Sequence, residues 1–224
     1  MHMHIYQAPQ PKSLLSRRAF FDTFTDADAT VITDHTPNRP AGCTWNAGTA
    51  APHFTIQSNR LVGYCPGLKW CTPTGWHSPN LYARLQCMNG EHAPTSTAHY
   101  MLLGWKLSAP NLPLDGWTLQ WATKTNADGV AHMLRLRKFV AGTPTEIDLA
   151  ELTGMTYNYT GVLRLLVSGN YFKFSIDHNP AWTIEYTDTA NWNVDQGYFL
   201  LGHASYNVVP TTDWWFDNLF LLRL

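Results

Sequence analysis

The chain has 224 residues, a formal net charge of −1, 14% charged residues and 13% aromatic residues. That length suits one large β-sandwich, a fold that runs to about 200–250 residues. The near-neutral charge without a basic block speaks against a nucleic-acid partner, and no apolar run approaches the roughly 20 residues of a membrane span.

Residues 1–19 read as an N-terminal arm, with Pro9 and Pro11 and no strand alternation. Two arginines, Arg17 and Arg18, are its candidate docking residues. An arm of this composition is ordered only when a partner holds it. Residues 20–224 read as one domain. Segments 21–30 and 215–221 both have strand character, and their pairing as first and last strands would close a sandwich. Between them, 35–42 is a turn-rich loop, Trp45-Asn46 is a short segment, and 53–56 and 60–64 are strands separated by Ser58-Asn59. Residues 65–80, punctuated by Pro66, Gly67, Pro73, Gly75 and Pro79, read as a long loop holding Trp70 and Trp76. Strand patterns recur at 81–87, 99–107, 117–123 and 132–139. In the clearest of them Trp117, Leu119 and Trp121 alternate with Thr118, Gln120 and Ala122, the signature of a half-buried strand. Asn126-Ala127-Asp128-Gly129 supplies a hairpin turn. A further strand and turn cover 140–151, a hairpin covers 161–177 around Ser168-Gly169-Asn170, and 195–202 precedes the closing strand.

Four cysteines, Cys43, Cys65, Cys71 and Cys87, show no zinc-ribbon or redox spacing. Cys65 and Cys71 could close their loop in an oxidising compartment. The N-terminus lacks the basic region and apolar run of a signal peptide, so synthesis in a cytoplasm with reduced thiols is expected. Ten histidines would make the chain cationic near pH 5.

The opening Asp22-Thr23-Phe24-Thr25-Asp26-Ala27-Asp28-Ala29-Thr30, the hairpin Leu163 to Asp177, the later Gln196-Gly197-Tyr198-Phe199-Leu200-Leu201-Gly202 and the closing Phe216-Asp217-Asn218-Leu219-Phe220-Leu221-Leu222 resemble concanavalin A-like (laminin-G-like) jelly-roll domains of the type found in tailed-phage virion proteins. The resemblance covers residues 20–224. It implies an all-β, two-sheet antiparallel sandwich in a non-enzymatic virion protein made in the host cytoplasm. Such a protein would decorate the capsid or belong to the tail or fibre, its arm docked on a major capsid or tail protein. Homo-oligomers, trimers among them, would suit virion symmetry. The alternative role is adhesion to a host-surface glycan.

Three constellations carry chemistry. Glu146-Ile147-Asp148-Leu149-Ala150-Glu151 matches the Glu-x-Asp-x-x-Glu pattern of the laminarinase-type glycoside hydrolases, which share the jelly roll. The resemblance would make Glu146 the nucleophile, Asp148 its tuner and Glu151 the acid/base. Retaining hydrolysis needs carboxyls about 5–5.5 Å apart, and Glu151 joins Glu146 only if a bulge resets the strand phase. The turn at Leu152-Thr153-Gly154 and Pro144 weaken the match, so catalysis ranks third. Asp22, Asp26, Asp28 and Asp217 lie on or near the terminal strands, where such folds often hold structural Ca²⁺, an ion of six to eight oxygen ligands; no cofactor is otherwise required. Finally, Trp70, Trp76, His77 and Trp192 lie outside clear strands, where rings can stack on sugars.

Overall fold

The computed structural model describes residues 19–47, 54–63, 67–89, 99–109, 115–126, 129–152, 155, 159–190, 196–205 and 215–224. Arg17, Arg18, Cys65 and Trp192 lie outside the described residues. Strand periodicity governs the layout. In Tyr159–Ser168 the residues Leu163, Leu165 and Val167 are buried and alternate with half-buried ones. Its hairpin partner Tyr171–Ile176 buries Phe172, Phe174 and Ile176 on the same side. A period of two turns one apolar row toward a single core.

The described strands, in chain order, are β1 (Ala19–Asp22), β2 (Trp45–Ala47), β3 (Phe54–Gln57), β4 (Arg60–Gly63), β5 (Gly67–Pro73), β6 (Leu81–Asn89), β7 (His99–Leu107), β8 (Gly116–Asn126), β9 (Gly129–Val140), β10 (Thr143–Glu151), β11 (Tyr159–Ser168), β12 (Tyr171–Ile176), β13 (Thr183–Thr187), β14 (Tyr198–Ser205) and β15 (Trp215–Arg223). They form two antiparallel sheets. The front sheet has seven strands in the order β10-β9-β8-β7-β14-β5-β2. The back sheet has eight, in the order β13-β12-β11-β6-β15-β4-β3, with β1 also paired to β15. The terminal strands pair as expected, Ala19 opposite Leu222 and Asp22 opposite Leu219. One continuous core fills the space between the sheets, rich in Trp105, Trp117, Trp121 and Phe172.

Three expectations change. The long loop at 65–80 contains β5, which pairs with β14 and β2; its Pro and Gly residues mark the ends of a short strand. Strand β13 escaped notice, although Ile184 is buried between half-buried and exposed neighbours. The opening strand stops at Asp22, and its side chain gives the reason. Asp22 is 0% exposed. Its Oδ1 accepts the Phe24 backbone N–H at 2.8 Å, and Phe24 turns to φ 49°, out of the extended region. Cys71 is a free thiol buried in the core, and burial pushes it well above the usual thiol range, whereas Cys65, its candidate partner, lies outside the described residues.

Asp22 organises a buried polar cluster. Trp45 Nε1 donates to Asp22 Oδ2 at 2.7 Å, and His35 Nε2 lies 2.9 Å from Asp22 Oδ1. The other His35 nitrogen, Nδ1, lies 3.3 Å from Asp26 Oδ2. Burial works against a charge on His35, but the hydrogen bond to Asp22 and the fields of Asp22 and Asp26 outweigh it and raise its pKa. A raised histidine pKa contributes stability that is complete below the unfolded value, about 6.5, and is lost as pH rises through the folded value. In urea titrations, wild-type stability should therefore decline from pH 6 to pH 8.5, while His35→Gln shows a flatter profile. Asp22→Ala should cost about 3–5 kcal/mol, the range for breaking a buried pair.

Candidate functional site

Because β8 turns Trp117, Leu119 and Trp121 into the core, Thr118, Gln120 and Ala122 point from the outer face of the front sheet. In sequence that polar side reads as the solvated face of a half-buried strand. The structure buries it too: Thr118 is 0% and Gln120 1% exposed. Strand register carries the face outward in both directions. Gly104 and Leu102 of β7 stand beside Thr118 and Gln120, followed by Leu200 and Gly202 of β14 and then Trp70 of β5. On the other side Arg137 and Arg135 of β9 flank the same two residues, and Glu146 of β10 lies opposite Arg137. Leu102, Leu107, Ala122, Met133 and Leu200 form a second apolar cluster on this face, with Trp70, Phe139 and Tyr198 packed against it.

The face holds polar atoms that the described residues do not satisfy. Gln120 Oε1, Thr118 Oγ1, Thr72 Oγ1, Trp70 Nε1 and Arg135 Nε are all buried without a hydrogen-bond partner among the described residues. An unpaired buried donor or acceptor costs about 1–3 kcal/mol. Core tryptophans such as Trp105, Trp117 and Trp121 also leave an indole N–H unpaired. There the burial of a large ring compensates. Thr118 and Gln120 bring no such ring, so among the described residues their cost is uncompensated, which makes this face the candidate site.

Aromatic rings edge the row. Trp70 and Tyr198 are half-buried. The exposed His77 meets Tyr198 edge to face at 4.9 Å. Gly197 permits this approach, because a Cβ there would come within 2.7 Å of the His77 ring. Two of the four proposed aromatic residues, Trp70 and His77, thus belong to one neighbourhood. Trp76 does not: it is 1% exposed and packs on Phe199 inside the core, so no sugar can stack on it. Gln120, Thr118 and the two arginines were missed in sequence because strand alternation assigns such residues to solvent.

The acidic pattern takes a different place. The hydrolase match needs a bulge between Asp148 and Glu151, but the bulge lies between Glu146 and Asp148: it sets Asp148 opposite the core residue Leu136, while Glu146 and Glu151 take register opposite Arg137 and Met133. Strand β10 is also the edge strand of the front sheet. Glu146 is 44% exposed, 3.7 Å from Arg135 Nε and 3.8 Å from Arg137 Nη2, an edge ion-pair network. The aspartates proposed for calcium are already engaged. Asp22 binds His35, Trp45 and Phe24, Asp28 accepts the Ser58 N–H at 2.7 Å, and Asp217 accepts the Asn218 N–H at 2.7 Å. Among the described residues no three acidic, histidine or cysteine side chains are grouped to hold a metal, so the four aspartates are not brought together as one site.

No protein-family model and no curated protein sequence matches the chain. Solved structures resemble it in fold. The Bacillus licheniformis beta-glucanase is 9% identical, with TM-score 0.61 over 92% of this chain and 98% of that one. The Ca²⁺- and mannose-bound exoplasmic/lumenal domain of VIP36 is 9% identical, with TM-score 0.61 over 93% and 90%. The CBM2 module of the evolved Dit of Lactobacillus casei BL23 phage J-1 is 9% identical, with TM-score 0.57 over 91% and 96%. The fold is a concanavalin A-like jelly roll, shared by carbohydrate-binding modules, lectins and glucanases.

If Thr118 and Gln120 are kept for a ligand and not for folding, apolar replacement should stabilise the chain. Thr118→Val and Gln120→Leu should each raise the unfolding free energy by about 1 kcal/mol in denaturant titrations.

Proposed function

We propose that the chain is a carbohydrate-binding module whose site is the outer face of the front sheet. The observation that carries this reading is the row of buried polar atoms without a hydrogen-bond partner among the described residues, from Trp70 through Thr72 to Gln120 and Thr118. Sugars present hydroxyls at short intervals, each both donor and acceptor, and flat C–H faces that stack on aromatic rings. A glycan entering from the half-exposed rims would lay successive sugars on Trp70 and Tyr198, and its hydroxyls would reach the buried Gln120 amide oxygen and threonine hydroxyls only as it displaces the side chains that cover them. The carbohydrate-binding neighbours support this reading.

The module works without hydrolysis in this reading. The only carboxylates with a hydrolase spacing run along an edge strand, and Glu146 is engaged by two arginines. Its place would be the surface of a phage particle, bound to a capsid or tail protein and presented to host glycans. The support is the terminal-motif resemblance together with the phage Dit module among the structural neighbours.

Titration against an array of bacterial surface polysaccharides tests the reading. At least one neutral glycan should bind, and Trp70→Ala should weaken it by about tenfold, the equivalent of 1.4 kcal/mol. Gln120→Leu should weaken the same glycan while raising stability. β-Glucans should yield no new reducing ends. Binding unaffected by Trp70→Ala and Gln120→Leu, or release of reducing ends that Glu146→Gln abolishes, would overturn it.

A further inference from the structure

The outer face of the back sheet carries a second, separate set of polar groups. Phe172, Phe174 and Ile176 of β12 are buried, so Lys173 and Ser175 point outward, and register sets Glu185 and Thr183 of β13 beside them. Lys173, Ser175, His178, Pro180, Thr183 and Glu185 line a pocket of about 250 Å³. Pockets for drug-sized ligands measure roughly 300–1,000 Å³, so this smaller cavity suits one small ring. Ser175, only 7% exposed, forms its floor. Glu185 is held in place, accepting from Lys173 Nζ at 2.5 Å and from the Tyr171 hydroxyl at 3.0 Å.

One wall is built under strain. Asp177 and His178 adopt φ values of 49° and 58°, two successive left-handed conformations at residues other than glycine. The Asp177 carboxylate holds this turn, accepting the Val162 N–H at 2.7 Å and the Tyr159 hydroxyl at 2.6 Å. The result sets His178 on the pocket rim.

Charge supplies the direction. Beside Ser175 in the next strand is Arg164, and directly opposite Arg164 on β6 is Arg84. Like charges in directly opposed positions repel and destabilise a sheet. Among the described residues neither arginine has a salt-bridge partner; Arg164 Nη1 reaches only the Val162 carbonyl, at 3.2 Å. Lys173 is neutralised by Glu185. Two unmatched guanidinium groups therefore adjoin a pocket furnished with hydroxyls, a carboxylate and an imidazole.

We propose that this face binds an anionic sugar residue, with its ring in the pocket and its carboxylate or phosphate on Arg164 and Arg84. The ring hydroxyls pair with Ser175, Thr183 and the Glu185–Lys173 couple, and Pro180 packs on the ring. Guanidinium forks match planar carboxylate and tetrahedral phosphate alike. This site lies on the opposite side of the sandwich from the one proposed above and does not depend on it.

Titrating glucuronate, glucose 1-phosphate, glucose and inorganic phosphate into ¹⁵N-labelled full-length chain tests it. Glucuronate or glucose 1-phosphate should shift the amides of Ser175, His178 and Thr183, with affinity falling as salt rises. Arg164→Ala should weaken the bound ligand by at least about tenfold. Arg164→Lys, which keeps the charge but not the fork, should fall between, and Thr118→Val on the front sheet should leave the shifts of Ser175, His178 and Thr183 and their ligand affinity unchanged. A cooperative thermal melt checks that each variant is folded. Glucose binding as tightly as the acids, phosphate alone binding as tightly as glucose 1-phosphate, or full affinity in folded Arg164→Ala would overturn the proposal. Failure of the front-sheet reading would leave these shifts intact.

Discussion

The two sheets are joined by an aromatic wedge in the middle and a polar tie at each side, and the positions of both outer faces depend on that arrangement. In the middle, Trp105 and Trp117 of the front sheet meet Phe172 of the back sheet with ring centroids 5.5 and 4.9 Å apart. Tyr186 closes on Trp117 from β13 at 5.5 Å. At one side Trp45 of the front sheet donates to the buried Asp22 of the back sheet. At the other, Lys138 lies 3.8 Å from Asp188 and 5.3 Å from the Trp117 ring centre. Large rings give distance and apolar burial, whereas the charged and hydrogen-bonded ties give registration, since their geometry tolerates little sliding.

With β8 pinned from inside, its alternate residues have no freedom on the outside. Thr118 and Gln120 are delivered to the centre of the front face because Trp117, Leu119 and Trp121 are committed to the core. The apolar cluster around Leu102 and Leu200 then shields them from water, which makes their unpaired atoms expensive. Folding by itself gains nothing from that expense. The proposed ligand recognition would give it a purpose, because hydrogen bonds formed in a shielded site are stronger than the same bonds in water.

The back face follows a different rule. Its polar groups are open to solvent, paired where they can be, and arranged around a strained turn. Asp177 illustrates the economy of the site: one carboxylate satisfies a backbone N–H and a phenol, and in doing so pushes the Tyr159 hydroxyl up to about 12. The front face centres on shielded, uncharged hydrogen-bonding groups with an ion-pair network at its edge, and the back face carries unpaired guanidinium groups. Ligands of the two proposed sites would therefore differ in their sensitivity to salt.

Much of the fold was legible in the order of residues. The hairpin from Leu163 to Ile176 announces itself because period-two alternation is a local property, and the pairing of the terminal strands follows from their apolar pattern. Strand β5 was hidden by prolines and glycines that serve equally for loops and for strand ends, and β13 by its brevity. Trp70 and His77 were found in sequence, but Trp76 could not be separated from them, because an identical ring serves as platform or as core depending on which side of the sheet it falls. By itself the sequence determined which residues alternate, which turns reverse, and that the product is a two-sheet sandwich. Only the tertiary structure decided that the polar side of β8 is buried, that Arg164 stands against Arg84, and that Asp22 is committed to His35 and Trp45. Those outcomes depend on contacts between strands far apart in the chain, and strand alternation carries no record of what will cover the second face.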